Sequence, residues 1–339
     1  MRAAVLALCL LIFVPSAHAA GWSSPHAFPA GGSPDWEPAP RAAISAGGSS
    51  LVAWSAGPGR LLASAGDTRG RFGAPVTVAR EASGHAVAAG AIAYETRGGV
   101  YVAVRSGRGF RSRRVAASTG SEINGLAIAA DPLGGWVVAE RQFPTHGSGV
   151  PYRVRAFSVG PDGRRVGAVQ DLGLGQFGID ARQTSALAVL PDGRAVLVFT
   201  REAPRNAMGP TPAVVTTRPH GGTFAEPAAL SAVEELVEPR VTVSGDQAVL
   251  TAVASPSCGD AGCAGQPRVS VLGADGAPGP LSGPALANPR RAFGPWAASA
   301  GTIVFQLKTG VQPFSREAPV RASVTGGAAL QTLTAQRTT

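Results

Sequence analysis

Residues 126–142 read LAIAADPLGGWVVAERQ. Two apolar runs of strand length flank Asp131-Pro132-Leu133-Gly134-Gly135, and a connection so short, with aspartate ahead of paired glycines, reverses the chain into an antiparallel hairpin. The phrase returns at 186–201 as ALAVLPDGRAVLVFTR. Looser copies lie at 41–55, 85–95, 240–252 and 296–306, where RAAIS, HAVAA, RVTVS and WAASA lead into LVAWS, AIAYE, AVLTA and TIVFQ. Six hairpins spaced by about 40 to 60 residues give the period of a four-stranded repeat.

After each hairpin the chain runs through a loop, a third strand, a tight glycine turn and a fourth strand. Those fourth strands open at a large apolar anchor: Phe72, Phe110, Val166, Phe224 and Leu281, with proline three residues later in three of them. The missing sixth matches the segment GWSSPHAF, where Trp22 and Pro25 take the places of Phe72 and Pro75. The pattern predicts an all-β fold, a β-propeller of six four-stranded blades. Residues 22–28 would close its ring beside the strand at 320–324, which hides the last sheet edge. A competing reading gives that place to residues 328–333, after Gly326-Gly327. The single domain is expected to span 20–330, with 331–339 a frayed tail.

The first 19 residues have the form of a secretory signal: Arg2, an apolar run from Val5 to Val14, then Ala17 and Ala19 three and one before a cut. Cys9 lies inside the apolar run, too early to be a lipid-modified cysteine. Export leaves Cys258 and Cys263, which an oxidising compartment would pair as a disulfide. The chain is expected outside the cytoplasm, extracellular or in the periplasmic or cell-wall space.

The 45 glycines and 28 prolines recur too often for a helix of three turns, while 45% hydrophobic against 15% charged residues supplies a core. The formal net charge is +9, and Lys308 is the one lysine. The tightest basic cluster, Arg108, Arg111, Arg113 and Arg114, alternates along a strand, so Arg111 and Arg113 share a face. It reads as a solvated strand surface, or as a surface for an anionic polymer or membrane. Nucleic acid is not expected, because only Phe110 stands among the arginines as a stacking platform.

In SAGDTRGRF, Asp67 stands five before Phe72, and SVGPDGRRV and GADGAPGPL keep an Asp-Gly at the same turn. These turns resemble the Asp-box, Ser-x-Asp-x-Gly-x-Thr-Trp, of secreted sialidase-like propellers. The resemblance implies the fold and, as the alternative function, a glycoside hydrolase or lyase. No catalytic residue carries over: Tyr94 and Glu95 are adjacent on a strand and point to opposite faces. The mature histidines, His26, His85, His146 and His220, have no metal-ligand spacing, so neither metal nor cofactor is expected.

Between second and third strands the first two repeats use SAGPGR and TRGG, whereas the others insert RQFPTHGSGVP, REAPRNAMGPTP, SPSCGDAGCAGQP and KTGVQPFSREAP. Strand alternation brings all four to one rim, and long loops on a rigid scaffold are where binding concentrates. The candidate binding residues are Arg141, His146, Arg201, Glu202, Arg205, Asn206, Asp260, Lys308, Arg316 and Glu317. The leading expectation is a monomeric, non-catalytic module holding an extracellular glycan, peptide or protein. In exported protein Cys258 and Cys263 should be recovered joined to each other by mass spectrometry of non-reduced peptides; two free thiols would remove the argument from compartment.

Overall fold

The computed structural model describes residues 40–107, 109–117, 123–142, 153–176, 186–201, 213–231, 236–259, 262–283, 291–299, 302–309, 316–323 and 331–332. Among them every regular element is a strand, and no helix is long and apolar enough to cross a membrane.

The first unit is the antiparallel meander β1 (Arg41–Ile44), β2 (Ser50–Ser55), β3 (Leu61–Gly66), β4 (Val76–Ala79), paired in chain order. The second repeats it with β5 (Gly84–Ala88), β6 (Ala91–Thr96), β7 (Gly99–Ser106) and β8 (Gly109–Ala117). In the third stand β9 (Ile123–Ala130), β10 (Trp136–Gln142), β11 (Arg153–Val159) and β12 (Arg165–Gln176). The fourth comprises β13 (Leu187–Val189), β14 (Ala195–Arg201), β15 (Ala213–Arg218) and β16 (Ala228–Ala229). The fifth has β17 (Leu236–Ser244), β18 (Gln247–Gly259) and β19 (Gly262–Leu272), with single bridges Val269–Ser282 and Leu272–Pro278 in the fourth place. Last come β20 (Arg291–Ser299), β21 (Thr302–Thr309), β22 (Arg316–Ser323) and β23 (Gln331–Thr332). All six expected hairpins are present, from β1–β2 to β20–β21.

The second strands β6, β10 and β14 are apolar on both faces because both faces are covered. Ile92 and Tyr94 pack with Leu51, Ala53, Leu61 and Ala63 of the first unit, while Ala91 and Ala93, on the opposite face of the same strand, pack with the third. There the small side chains of β5 and β6 leave room that Trp136 and Phe157 fill. β10 repeats the division, with Trp136 and Val138 toward the second unit and Val137 and Ala139 toward the fourth. So does β14, sending Leu197 and Phe199 back and Val196 and Val198 forward to Leu250 and Ala252.

Polar contacts cross the same interfaces. Trp136 Nε1 donates to the Ala89 carbonyl at 2.9 Å. The Gln170 side chain behaves as a strand would: its amide donates to Phe224 O and its oxygen accepts from Phe224 N, both at 2.7 Å. Arg218 Nη1 donates to Ser158 Oγ at 2.6 Å with its guanidinium over the Phe224 ring.

The Asp turns have a common local cause. Asp67, Asp162 and Asp275, between third and fourth strands, each accept a hydrogen bond from the backbone N–H two residues on, at 2.9 to 3.0 Å. Asp131 and Asp192, between first and second strands, make the same bond at 2.9 Å. This Asx-turn appears in either tight connection wherever aspartate precedes the reversal.

One expectation is corrected at the chain's end. The strand beside β22 is β23, with Thr332 opposite Val320 and Gln331 opposite Arg321, so the C-terminal segment occupies the place expected for residues 22–28. Gln331 and Thr332 are strand residues, and residues 333–339 lie outside the described residues. Residues 22–28 and the signal segment lie outside the described residues.

Gly135 (φ 85) and Gly70 (φ 75) separate two reasons for glycine in these turns. An added Cβ at Gly70 meets nothing within 4 Å, whereas at Gly135 it would run into the Val159 carbonyl oxygen of β11. Gly70→Ala should cost about 1 kcal/mol for its backbone conformation alone, and Gly135→Ala about 3 kcal/mol or more, because a strand must also move. Urea unfolding of the two variants reads the difference, and equal losses would remove the close approach as a constraint.

Candidate functional site

The candidate site lies at the sheet ends where second strands pass to third strands. In the first two units these connections are tight: Ala56 N donates to Arg60 O at 2.8 Å, and Gly98 N to Thr96 Oγ1 at 3.0 Å. In the later units strands run past the sheet and join its neighbour. The end of β12 crosses to β14, pairing Gly175 with Arg201 and Gln176 with Thr200. The start of β19 crosses to β20, pairing Ala264 with Phe293 and Gly265 with Ala292. Strand hydrogen bonds thus tie the third unit to the fourth and the fifth to the last at this end.

Several residues expected in loops are in strands. Arg141 is in β10 and 1% exposed, so it is a buried side chain rather than a rim contact. The segment containing Cys258 and Cys263 is the tip of the β18–β19 hairpin, with the two cysteines directly opposite and Gly259 paired to Gly262. Lys308 lies in β21 between Arg291 of β20 and Glu317 of β22, and Arg316 faces Thr309. Arg201 ends β14, its Nη2 2.9 Å from Glu226 Oε1 and both side chains reaching solvent. His146, Glu202, Arg205, Asn206 and Asp260 lie outside the described residues. The structure thus brings Arg201 beside Gly175, and Lys308 beside Glu317.

The main charged feature near this end was not singled out from the sequence. Glu140, 0% exposed, is ion-paired through Oε1 with Arg155 Nη2 on the adjacent strand, and Arg153 and Asp171 pair at 2.8 Å beyond it. Burial pushes the Glu140 carboxyl above its ordinary range, opposed by the Arg155 charge and hydrogen bond. Glu95 holds the matching place in the second unit, lying over Gly84, where Ser83 Oγ donates to its Oε1 at 2.9 Å. A charge ending an apolar run, WVVAE or AIAYE, is the signal for both; the partner is visible only once register is known. Among the described residues no group of three or more His, Cys, Asp or Glu could hold a metal ion.

Another buried ionisable group joins the first two units. His85 Nε2 lies 3.3 Å from the Ala53 carbonyl, which accepts from it in the tautomer protonated there. Burial, with Arg41 nearby adding to it and the Ala53 bond opposing, lowers the His85 pKa to about 4.

No protein-family model matches the chain, and no curated protein sequence matches it. Solved structures that resemble it include three of low identity. The puromycin hydrolase is 16% identical at a TM-score of 0.43, over 87% of this chain and 53% of the hydrolase. The chain thus spans about half of that enzyme's length. The Aleuria aurantia lectin, solved with Fucalpha1-6GlcNAc, is 11% identical at 0.44, over 86% of this chain and 94% of the lectin. The β-propeller domain of the Trilobed protease from Pyrococcus furiosus is 10% identical at 0.44, over 88% and 97%. Likenesses at these scores carry no argument about this chain, whose fold rests on its own strand pairing.

The His85 environment has a pH consequence. Between its ordinary value of 6.5 and about 4, the unfolded chain takes up a proton that the folded chain refuses. The stability present above pH 6.5 therefore drains away as pH falls through that window, by on the order of 3 kcal/mol. His85→Gln removes this term, so the stability gap between the wild type and the variant should close or invert from pH 7 to pH 4 in urea unfolding. Parallel curves would show that His85 does not titrate differently in the two states.

Proposed function

We propose that the chain is a secreted, six-bladed β-propeller that holds a glycan, peptide or protein partner on the rim of its second-to-third strand connections, without catalysing a reaction. β23 is the fourth strand of the last blade in this reading, and the Cys258–Cys263 disulfide stiffens the tip of the β18–β19 hairpin. The observation that carries it is the stitching of neighbouring units at that end, Gly175 to Arg201 and Ala264 to Phe293. Strand pairing there supplies a rigid platform, and rigid platforms presenting loops are where recognition is placed.

The test is a printed glycan array probed with exported protein, beside variants in which residues 143–152 or 202–212 are replaced by a four-residue turn. Binding weakened by about tenfold or more, a loss of about 1.4 kcal/mol, with unchanged thermal unfolding, is the expected result. Binding that survives both replacements would remove the rim from the proposal. Cleavage of a bound glycan would replace it with the sialidase-like hydrolase or lyase.

A further inference from the structure

Away from that rim, arginines of two different units meet at the outer edge of the second. Among the described residues β8 is the last strand of its sheet, pairing with β7 alone. Its Arg111 stands opposite Val104 and its Arg113 opposite Val102, the face of the sheet that meets the third unit. The turn before β12 docks on this face: Arg113 Nε donates to the Asp162 carbonyl at 3.1 Å, and an added Cβ on Gly163 would lie 3.1 Å from Val104 and 3.7 Å from Arg113. The same turn leads into Arg164 and Arg165, the latter opposite Val159 on the face that meets the second unit, and Arg111, Arg164 and Arg165 are exposed.

The acid at this junction is already engaged. Asp162 Oδ1 accepts the Arg164 N–H at 3.0 Å, and Oδ2 lies 3.3 Å from Arg164 Nε. The Asp162 carboxylate is thus engaged by Arg164, and Arg105 and Arg114 add exposed charge on the other side of β8. A charged edge strand discourages sheet-to-sheet association, but that purpose needs no arginines from the next unit. Guanidinium groups differ from ammonium groups in offering a planar fork that takes a carboxylate or sulfate through two parallel hydrogen bonds. The nearby aromatic rings are committed elsewhere: Phe110 and Tyr101 pack into the core shared with the first unit, and Tyr101 stacks on Tyr94. They offer no platform for bases, which weighs against a nucleic acid.

We propose that this patch binds an acidic polysaccharide, with Arg111, Arg113, Arg164 and Arg165 gripping successive carboxylate or sulfate groups. The surface is separate from the rim, and its test does not depend on what the rim holds. The probes are polygalacturonate for carboxylate and dextran sulfate for sulfate, titrated at several salt concentrations. Arg111→Glu/Arg165→Glu is compared with Arg69→Glu/Arg71→Glu, an equal change of charge at exposed arginines of the first unit's β3–β4 turn, away from the rim. Binding that weakens with salt, falls by about tenfold or more in the patch variant and by under about threefold in the control supports the proposal. Response to one probe alone supports it and names the group. Equal losses would reduce the effect to net charge, and failure of the wild type to bind either polymer would overturn it. So would the same arginine dependence shown only by anionic phospholipid vesicles or a single-stranded oligonucleotide. Matching thermal unfolding of both variants excludes a folding defect.

Discussion

A second strand that is apolar on both faces cannot be satisfied by its own sheet. Pairing in β6 or β14 satisfies the backbone but leaves two apolar surfaces, and only a neighbour on each side removes both from water. Repetition follows from this, since a unit built to be covered twice must be preceded and followed by others like it. The pairing of small and large side chains follows too. Ala91 and Ala93 present a shallow face to Trp136 and Phe157, and exchanging the sizes on one side alone would open a cavity or force an overlap.

The polar groups are arranged around the same constraint. Charges placed inside such a stack must find partners within it, as Glu140 does in Arg155 and Arg218 in Ser158 and the Phe224 ring. A buried ion pair adds little net stability over a well-packed apolar pair, but removing one member strands the other. Glu140 and Arg155 thus fix the register of β10 on β11 more than they strengthen it. Freedom to vary survives at the sheet ends, where the connections differ most between units.

The hairpins were legible because their signals are local: an apolar run, an aspartate or glycine reversal and a second apolar run need no knowledge of the rest. The Asp turns were legible for the same reason, and their likeness to an Asp-box is what Asx-turn chemistry produces, since Asp131 and Asp192 do the same in a different connection. Arg141 reads as the start of a loop because RQFPTHGSGVP begins with polar residues, yet it is the sixth residue of β10. The strand persists through Gln142 only because β11 pairs with it as far as Arg153 and β9 bulges to follow. The segment around Cys258 looked like a loop for its glycines and prolines, yet partner strands on both sides hold it extended. The edge beside β22 could not be assigned from local signals, because either chain end supplies an apolar segment of suitable length.

The inter-unit contacts made by third-to-fourth strand turns have a direction. The turn at Asp162 reaches back to Arg113, His220 reaches back to Asp131 at 2.9 Å, and the Gly273–Ala274 carbonyls reach back to Arg194. In each case a later unit caps an earlier one. During synthesis a unit therefore stays uncapped until its successor has folded, and maturation follows the chain one step behind its growth. Under tension applied at the C-terminus the order reverses: each unit that peels away uncaps the one before it.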